Sequence, residues 1–192
     1  IIVLDEADEM LSMGFKKELD EILGFLHSVE NKWLFSATIP AGIKDIINKH
    51  MSKDAHRVVV NPKNVVNTKI THQFLICDDK DKLMVLLQFL KAEHKNRGIV
   101  FCRTKAMAQK LSKQLIAKNI ATDAIHGDLL QKERDKVMRA FKNESLQILV
   151  ATDLAARGID VEGLSFVVHY QLPESDEYYT HRSGRTARAG KE

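Results

Sequence analysis

Ile1-Ile2-Val3-Leu4 runs directly into Asp5-Glu6-Ala7-Asp8, and the fold turns on how that junction is read. A short apolar run that stops at carboxylates reads as a buried parallel strand delivering acids to its carboxyl end. In open α/β sheets ligands sit at that end. Carboxylates there suit a hard cation that keeps several waters and meets the protein through one or two acids, as Mg²⁺ does. The plainer alternative is a strand followed by an acidic helix start, where Asp and Glu favour the positive end of the helix dipole.

Outward from this junction, Phe15, Leu19, Ile22, Leu23 and Leu26 recur at helical spacing. They predict an amphipathic helix with Lys16, Lys17, Glu18 and Glu21 turned out. Trp33-Leu34-Phe35 reads as a second strand ending at Ser36-Ala37-Thr38. Pro40 then suits the first turn of a helix running to about His50, with Thr38 a candidate cap. Arg57-Val58-Val59-Val60 is a candidate short strand that Asn61-Pro62-Lys63-Asn64 breaks. The expected division is residues 1–62 in a first domain, 63–70 as a linker and 71–192 in a second domain.

In the second part, strands are expected at 72–77, 99–102, 121–125, 146–151 and 165–170. Helices between them are marked by Leu83, Leu86, Leu87 and Leu90, by Ala108, Leu111 and Leu115, and by Val137 with Phe141. Strands alternating with helices predict α/β parallel sheets flanked by helices, with right-handed crossovers.

The 192 residues carry a net charge of +3, unevenly spread. Residues 1–62 hold 7 Lys/Arg against 10 Asp/Glu, and residues 63–192 hold 22 against 16. A basic second half is compatible with a phosphate-rich partner and equally with an ordinary solvated surface. Cys77 and Cys102 lie in apolar runs, where a small buried hydrophobe in a reducing, cytoplasmic setting is the expectation. The eight His lack the spacing of a zinc site. No apolar run approaches the ~18 residues of a membrane span, so no membrane partner is expected.

Beyond the first acids come Ser36-Ala37-Thr38, Ile99-Val100-Phe101-Cys102-Arg103-Thr104-Lys105 and His126-Gly127-Asp128 with Gln131 and Arg134. Then follow Ala151-Thr152-Asp153-Leu154-Ala155-Ala156-Arg157-Gly158-Ile159-Asp160 and His181-Arg182-Ser183-Gly184-Arg185-Thr186-Ala187-Arg188-Ala189-Gly190. In that order the chain resembles the DEAD-box family of ATP-dependent RNA helicases, from its second motif to its sixth. Two departures, Ser183 where Ile is usual and Ala187 where Gly is usual, remove no charged group. The resemblance implies two RecA-like domains, here part of the first and most of the second. The chain starts mid-strand without Met, which reads as an internal stretch of a longer protein. Its expected partners are then the missing half of its own first domain and single-stranded or duplex RNA. No G-x-x-x-x-G-K-[ST] occurs, so the stretch alone is expected not to hydrolyse ATP.

By the same resemblance, ATP and Mg²⁺ are the implied cofactors. Asp5 would position Mg²⁺, Glu6 would orient the attacking water, and Asp8 would couple to Ser36, Thr38 and His181. Arg185 and Arg188 would reach the γ-phosphate, and Asp160 the ribose. Arg103, Thr104, Lys105, Gly127, Arg134, Thr152 and Arg157 would lie along RNA. Local structure offers rivals: Asp128 and Gln131 have the spacing of a capping box, Thr152 or Asp153 could cap a short helix, and Gly158 could end it. If residues 181–188 are helical, His181, Arg185 and Arg188 share one face. Two further readings stay open: a nucleic-acid-binding scaffold without catalysis, and a helicase acting on DNA.

Overall fold

The computed structural model describes residues 1–26, 28–59, 69–156, 159, 161 and 163–186. The chain divides into two compact units, Ile1–Val60 and Asn61–Glu192, and each is a parallel α/β arrangement of its own.

In the first unit, β1 (Ile2–Leu4) pairs in parallel with β2 (Lys32–Leu34), with Val3 opposite Trp33. Helices α1 (Ala7–Ser12) and α2 (Lys16–Phe25) follow β1, and α3 (Ala41–His50) follows β2. The helix expected from the Phe15 to Leu26 spacing is α2, and α1 precedes it as a separate short helix. Gly14, at φ +87°, supplies the left-handed turn between them at little cost. Leu4, Ala7, Leu19, Leu23, Ile43 and Ile46 form the core. Phe15 and Ile22, expected on the same buried stripe, are about half exposed.

The second unit carries a four-stranded parallel sheet in the order β4-β5-β3-β6. The strands are β3 (Gly98–Cys102), β4 (Thr122–Ile125), β5 (Ile148–Thr152) and β6 (Phe166–His169). Every residue of β3 and of β5 is buried, as continuous apolar runs in a sheet covered on both faces should be. Side chains alternate between two cores. Ile99, Phe101, Leu149 and Ala151 face one side with Val137 and Phe141 of α6 (Gln131–Lys142). Val100, Cys102, Ile148 and Val150 face the other with α4 (Lys82–Ala92) and α5 (Lys105–Ile116). The chain moves outward from β3 to β4 through α5 and returns to β5 through α6, so right-handed crossovers put those two helices on opposite faces. Gly98 is dictated by packing, because a Cβ there would lie 2.2 Å from the Phe166 ring.

Four local expectations are corrected. Residues 72–77 form no strand: an apolar run becomes one only where a neighbour's backbone pairs with it. That segment pairs with none among the described residues, and Phe74, Leu75 and Ile76 are largely exposed. Residues 57–59 are likewise outside any strand, and Val60 lies outside the described residues. Thr38 does not cap α3, whose N-cap is Pro40; its hydroxyl is spent elsewhere. Asp128 and Gln131 are not a capping box, since α6 begins at Gln131 and its N-cap is Leu130, whose N–H donates to Glu133 Oε2 at 3.0 Å.

Candidate functional site

At the end of β1 the chain turns through Glu6 into α1. Glu6 sits at φ 50°, ψ 45°, a left-handed conformation that costs a non-glycine residue roughly 1 kcal/mol or more and clusters at functional sites. The turn is held on both sides. Asp5 Oδ1 accepts the Glu6 N–H at 2.9 Å, the Ala7 N–H donates to Phe35 O, and Glu6 O accepts from Glu9 and Met10. Asp5 stays exposed and Glu6 half-buried.

Asp8 is 4% exposed and is bound into the end of β2. Its Oδ2 accepts from Thr38 N at 2.7 Å and from Thr38 Oγ1 at 2.8 Å. Its own N–H donates to Ser36 Oγ, which in turn donates to Thr38 O at 2.6 Å. Burial alone would raise the Asp8 pKa, but these hydrogen bonds outweigh it and hold the carboxyl below its usual value. Among the described residues the buried Asp8 Oδ1 has no hydrogen-bond partner, an acceptor left over inside the network. The three acids therefore divide: Asp8 is structural and ionised, while Asp5 and Glu6 remain at the strand end.

In the second unit the parallel registers bring the carboxyl ends of β3, β4, β5 and β6 to one edge. Adjacent β3 and β5 are followed by helices on opposite faces, so a crevice opens between their ends, the switch point where α/β sheets bind ligands. Arg103, Thr104 and Lys105 lie there after β3, Gly127 and Asp128 after β4, and Thr152 and Asp153 at the end of β5. Thr104 caps α5, its Oγ1 accepting the Met107 N–H at 3.2 Å. Arg103 is ion-paired to Glu174 at 2.6 Å and Lys105 to Asp128 at 2.8 Å. Arg134 Nη2 donates to Ala155 O at 2.7 Å, which ties α6 to the helix α7 (Asp153–Ala156). A Cβ at Gly127 would meet nothing within 4 Å among the described residues, so none of them requires a glycine there. Arg157, Gly158, Asp160 and Arg188 lie outside the described residues.

The basic segment near the C-terminus differs from its expectation. Helix α8 (Asp176–Ser183) starts at Ser175, whose Oγ accepts the Tyr178 N–H, and ends at Gly184. His181 is in its last turn, but Arg185 lies beyond it and donates Nη1 to Ile159 O at 3.0 Å. His181 and Arg185 therefore share no helical face, because Gly184 closes the helix between them.

Spacing alone did not connect Arg182 with Asp153, which reads from the sequence only as a candidate helix cap. Arg182 is 1% exposed. Its Nε and Nη2 grip the two oxygens of Asp153 at 2.5 and 2.7 Å, Nη1 donates to Gln171 O at 2.7 Å, and the guanidinium lies 5.1 Å over the Phe101 ring. Such a fork suits Arg and not Lys. Beside it, His169 stacks on Tyr179 at 4.6 Å, and Tyr179 Oη meets His72 Nδ1 at 2.6 Å. Nothing periodic in the sequence marks these pairs; only the sheet brings them together.

Burial, and then the positive charge of Arg182, push the His169 pKa down to about 4. The folded unit therefore prefers neutral His169, and its stability is full above the unfolded value near 6.5 and declines as pH falls toward 4. The expected loss is up to about 3 kcal/mol. Urea titrations of wild type and His169→Asn between pH 7 and 4 check this: the variant should lose less. Equal slopes would mean that another group titrates.

The Helicase conserved C-terminal domain family matches residues 81–190, and the DEAD/DEAH box helicase family matches residues 1–46. The class is thus that of a helicase core. The DEAD-box ATP-dependent RNA helicase RhpA of Helicobacter pylori is 41% identical over 191 residues, covering 100% of this chain and 39% of RhpA. Among solved structures, S. cerevisiae Dbp5 bound to RNA and ADP BeF3 has a TM-score of 0.87 at 31% identity, over 99% of this chain and 50% of that one. A DEAD box protein from Methanococcus jannaschii has a TM-score of 0.61 at 40% identity, over 98% of this chain and 50% of that one. The chain belongs to the DEAD-box helicase family, its α/β units are RecA-like, and it spans about two fifths of RhpA's length.

Proposed function

We propose that the whole protein is a cytoplasmic ATP-dependent RNA helicase that couples ATP binding and hydrolysis to RNA strand separation or RNP remodelling. The observation that carries this reading is the division of labour among the acids. Thr38 and Ser36 hold Asp8, leaving Asp5 and Glu6 at the strand end. Two hard oxygen donors and no more suit Mg²⁺, which keeps its waters and binds chiefly through substrate phosphates. Among the described residues no group of three or more His, Cys, Asp or Glu could hold a metal by itself, so such an ion would arrive with its nucleotide. Bound there, Mg²⁺ would supply charge neutralisation on the phosphates. Asp5 would hold it, Glu6 would orient the attacking water, and the Asp8–Ser36–Thr38 network would carry the state of this site into β2. In the second unit His181 is assigned to coupling, and Arg185, Arg188 and Asp160 to the phosphate and ribose of the nucleotide.

RNA is assigned to the strand-end edge of the second unit, at Arg103, Thr104, Gly127, Arg134, Thr152 and Arg157. The open space at Gly127 supports a close backbone approach there. Contacts of this kind go to phosphate and sugar and carry little base information. Matched RNA and DNA single strands, each added to the full-length protein, test the reading. ATP hydrolysis should rise with RNA and not with DNA, which lacks the 2′-hydroxyl. Equal stimulation by both would mean a helicase acting on DNA; stimulation by neither would mean a binding scaffold.

A further inference from the structure

Both cations at the end of β3 are already engaged. Arg103 Nη2 is held by Glu174 Oε1 at 2.6 Å, while the Arg103 N–H donates to Gln171 Oε1 at 3.0 Å. Lys105 Nζ is held by Asp128 Oδ1 at 2.8 Å. The two acids come from separate loops, one after β6 and one after β4, so the carboxylates approach the two cations from different parts of the fold. All four side chains are substantially exposed, so each pair is weak in itself and open to exchange with solution anions. Neither acid caps a helix: Ser175 caps α8, and the α6 start is held by Leu130 and Glu133.

We propose that Glu174 and Asp128 set the affinity and selectivity of this edge as internal competitors for phosphate, an inference that rests on the RNA reading above. A single phosphate gains little here, because taking Arg103 or Lys105 from its carboxylate exchanges one ion pair for another and leaves an acid facing the anion. A continuous phosphodiester strand engages both cations together with the α5 start and Gly127, and so meets the cost of displacing two carboxylates at once. The edge thereby discriminates against free phosphate and binds a strand loosely enough to release it.

The test is a cycle on the full-length protein without nucleotide: wild type, Glu174→Gln, Arg103→Ala and the double variant. Each is titrated into a labelled ten-residue oligouridine and, separately, into tripolyphosphate. Glu174→Gln should bind the RNA about 2- to 5-fold more tightly, the range that loss of one exposed ion pair corresponds to, and the gain should vanish in the Arg103→Ala background. Asp128→Asn should give a gain of similar size that depends on Lys105 instead. A gain that persists without Arg103 would be a general charge effect and would overturn the proposal, as would no gain at all. If RNA fails to bind while Glu174→Gln binds tripolyphosphate more tightly than wild type, the RNA reading falls and the competition stands. If no variant binds either anion, the competition itself is overturned.

Discussion

Replacing Arg182 with Ala lowers the stability of the second unit by about 3–5 kcal/mol, the usual result of stripping one partner from a buried ion pair. The cost is not the lost attraction alone. The change leaves the Asp153 carboxylate facing a hole, removes the donor to Gln171 O and takes the guanidinium off Phe101. Lys fares little better, since it cannot reach both oxygens of Asp153 and the carbonyl together. The chain reports each unit separately. Its single Trp, Trp33, lies in the first unit, and its three Tyr, at 170, 178 and 179, lie in the second. Urea unfolding followed by tyrosine near-ultraviolet dichroism should therefore shift strongly while the Trp33 fluorescence transition stays put. A paired replacement, Arg182→Met with Asp153→Leu, should recover much of the loss, because well-packed apolar groups often match a buried pair. A single-variant loss below about 1 kcal/mol would mean that water reaches the pair.

Glu6→Gln in the full-length protein is expected to reduce RNA-stimulated ATP hydrolysis by about 10²–10⁴-fold, the range for removing a positioned general base. The fold should not change, because Gln has the same shape and must occupy the same left-handed turn, held by Asp5 and Phe35. Binding of RNA with a non-hydrolysable nucleotide should persist. Loss of hydrolysis with binding intact is the pattern of a group that acts in the transition state alone. If binding falls in step with hydrolysis, Glu6 serves the ground state; if hydrolysis survives, the water is oriented by another residue.

The sequence was most informative where one residue type had only one structural answer. Ile99–Cys102 and Ile148–Ala151 are apolar at every position, and only a sheet covered on both faces uses such a run. Their carboxyl ends then fixed where Arg103 and Thr152 would lie. Asp5, Glu6 and Asp8 were legible as a group, and the family resemblance implied the contact of Asp8 with Ser36 and Thr38 that the structure contains. Local spacing misled where two frames competed. Asp128 and Gln131 have the spacing of a capping box, but α6 starts at Gln131 with Leu130 as its N-cap, where Glu133 alone reaches back to the backbone. Residues 72–77 look like a strand because strand propensity is local, whereas pairing is not. Arg182 and Asp153 are 29 positions apart, and no periodicity connects residues that meet only after β5 and α8 are in place.

The left-handed turn at Glu6 sets the fold and the chemistry at odds over a single position. The backbone there would be relieved by glycine, the residue for which that region is freely open, yet glycine would bring no carboxylate to the strand end. A laboratory selection that rewarded heat resistance alone would be drawn to this residue and would discard turnover as it gained robustness. Improved variants of the protein should therefore be chosen by what they do as well as by how long they last.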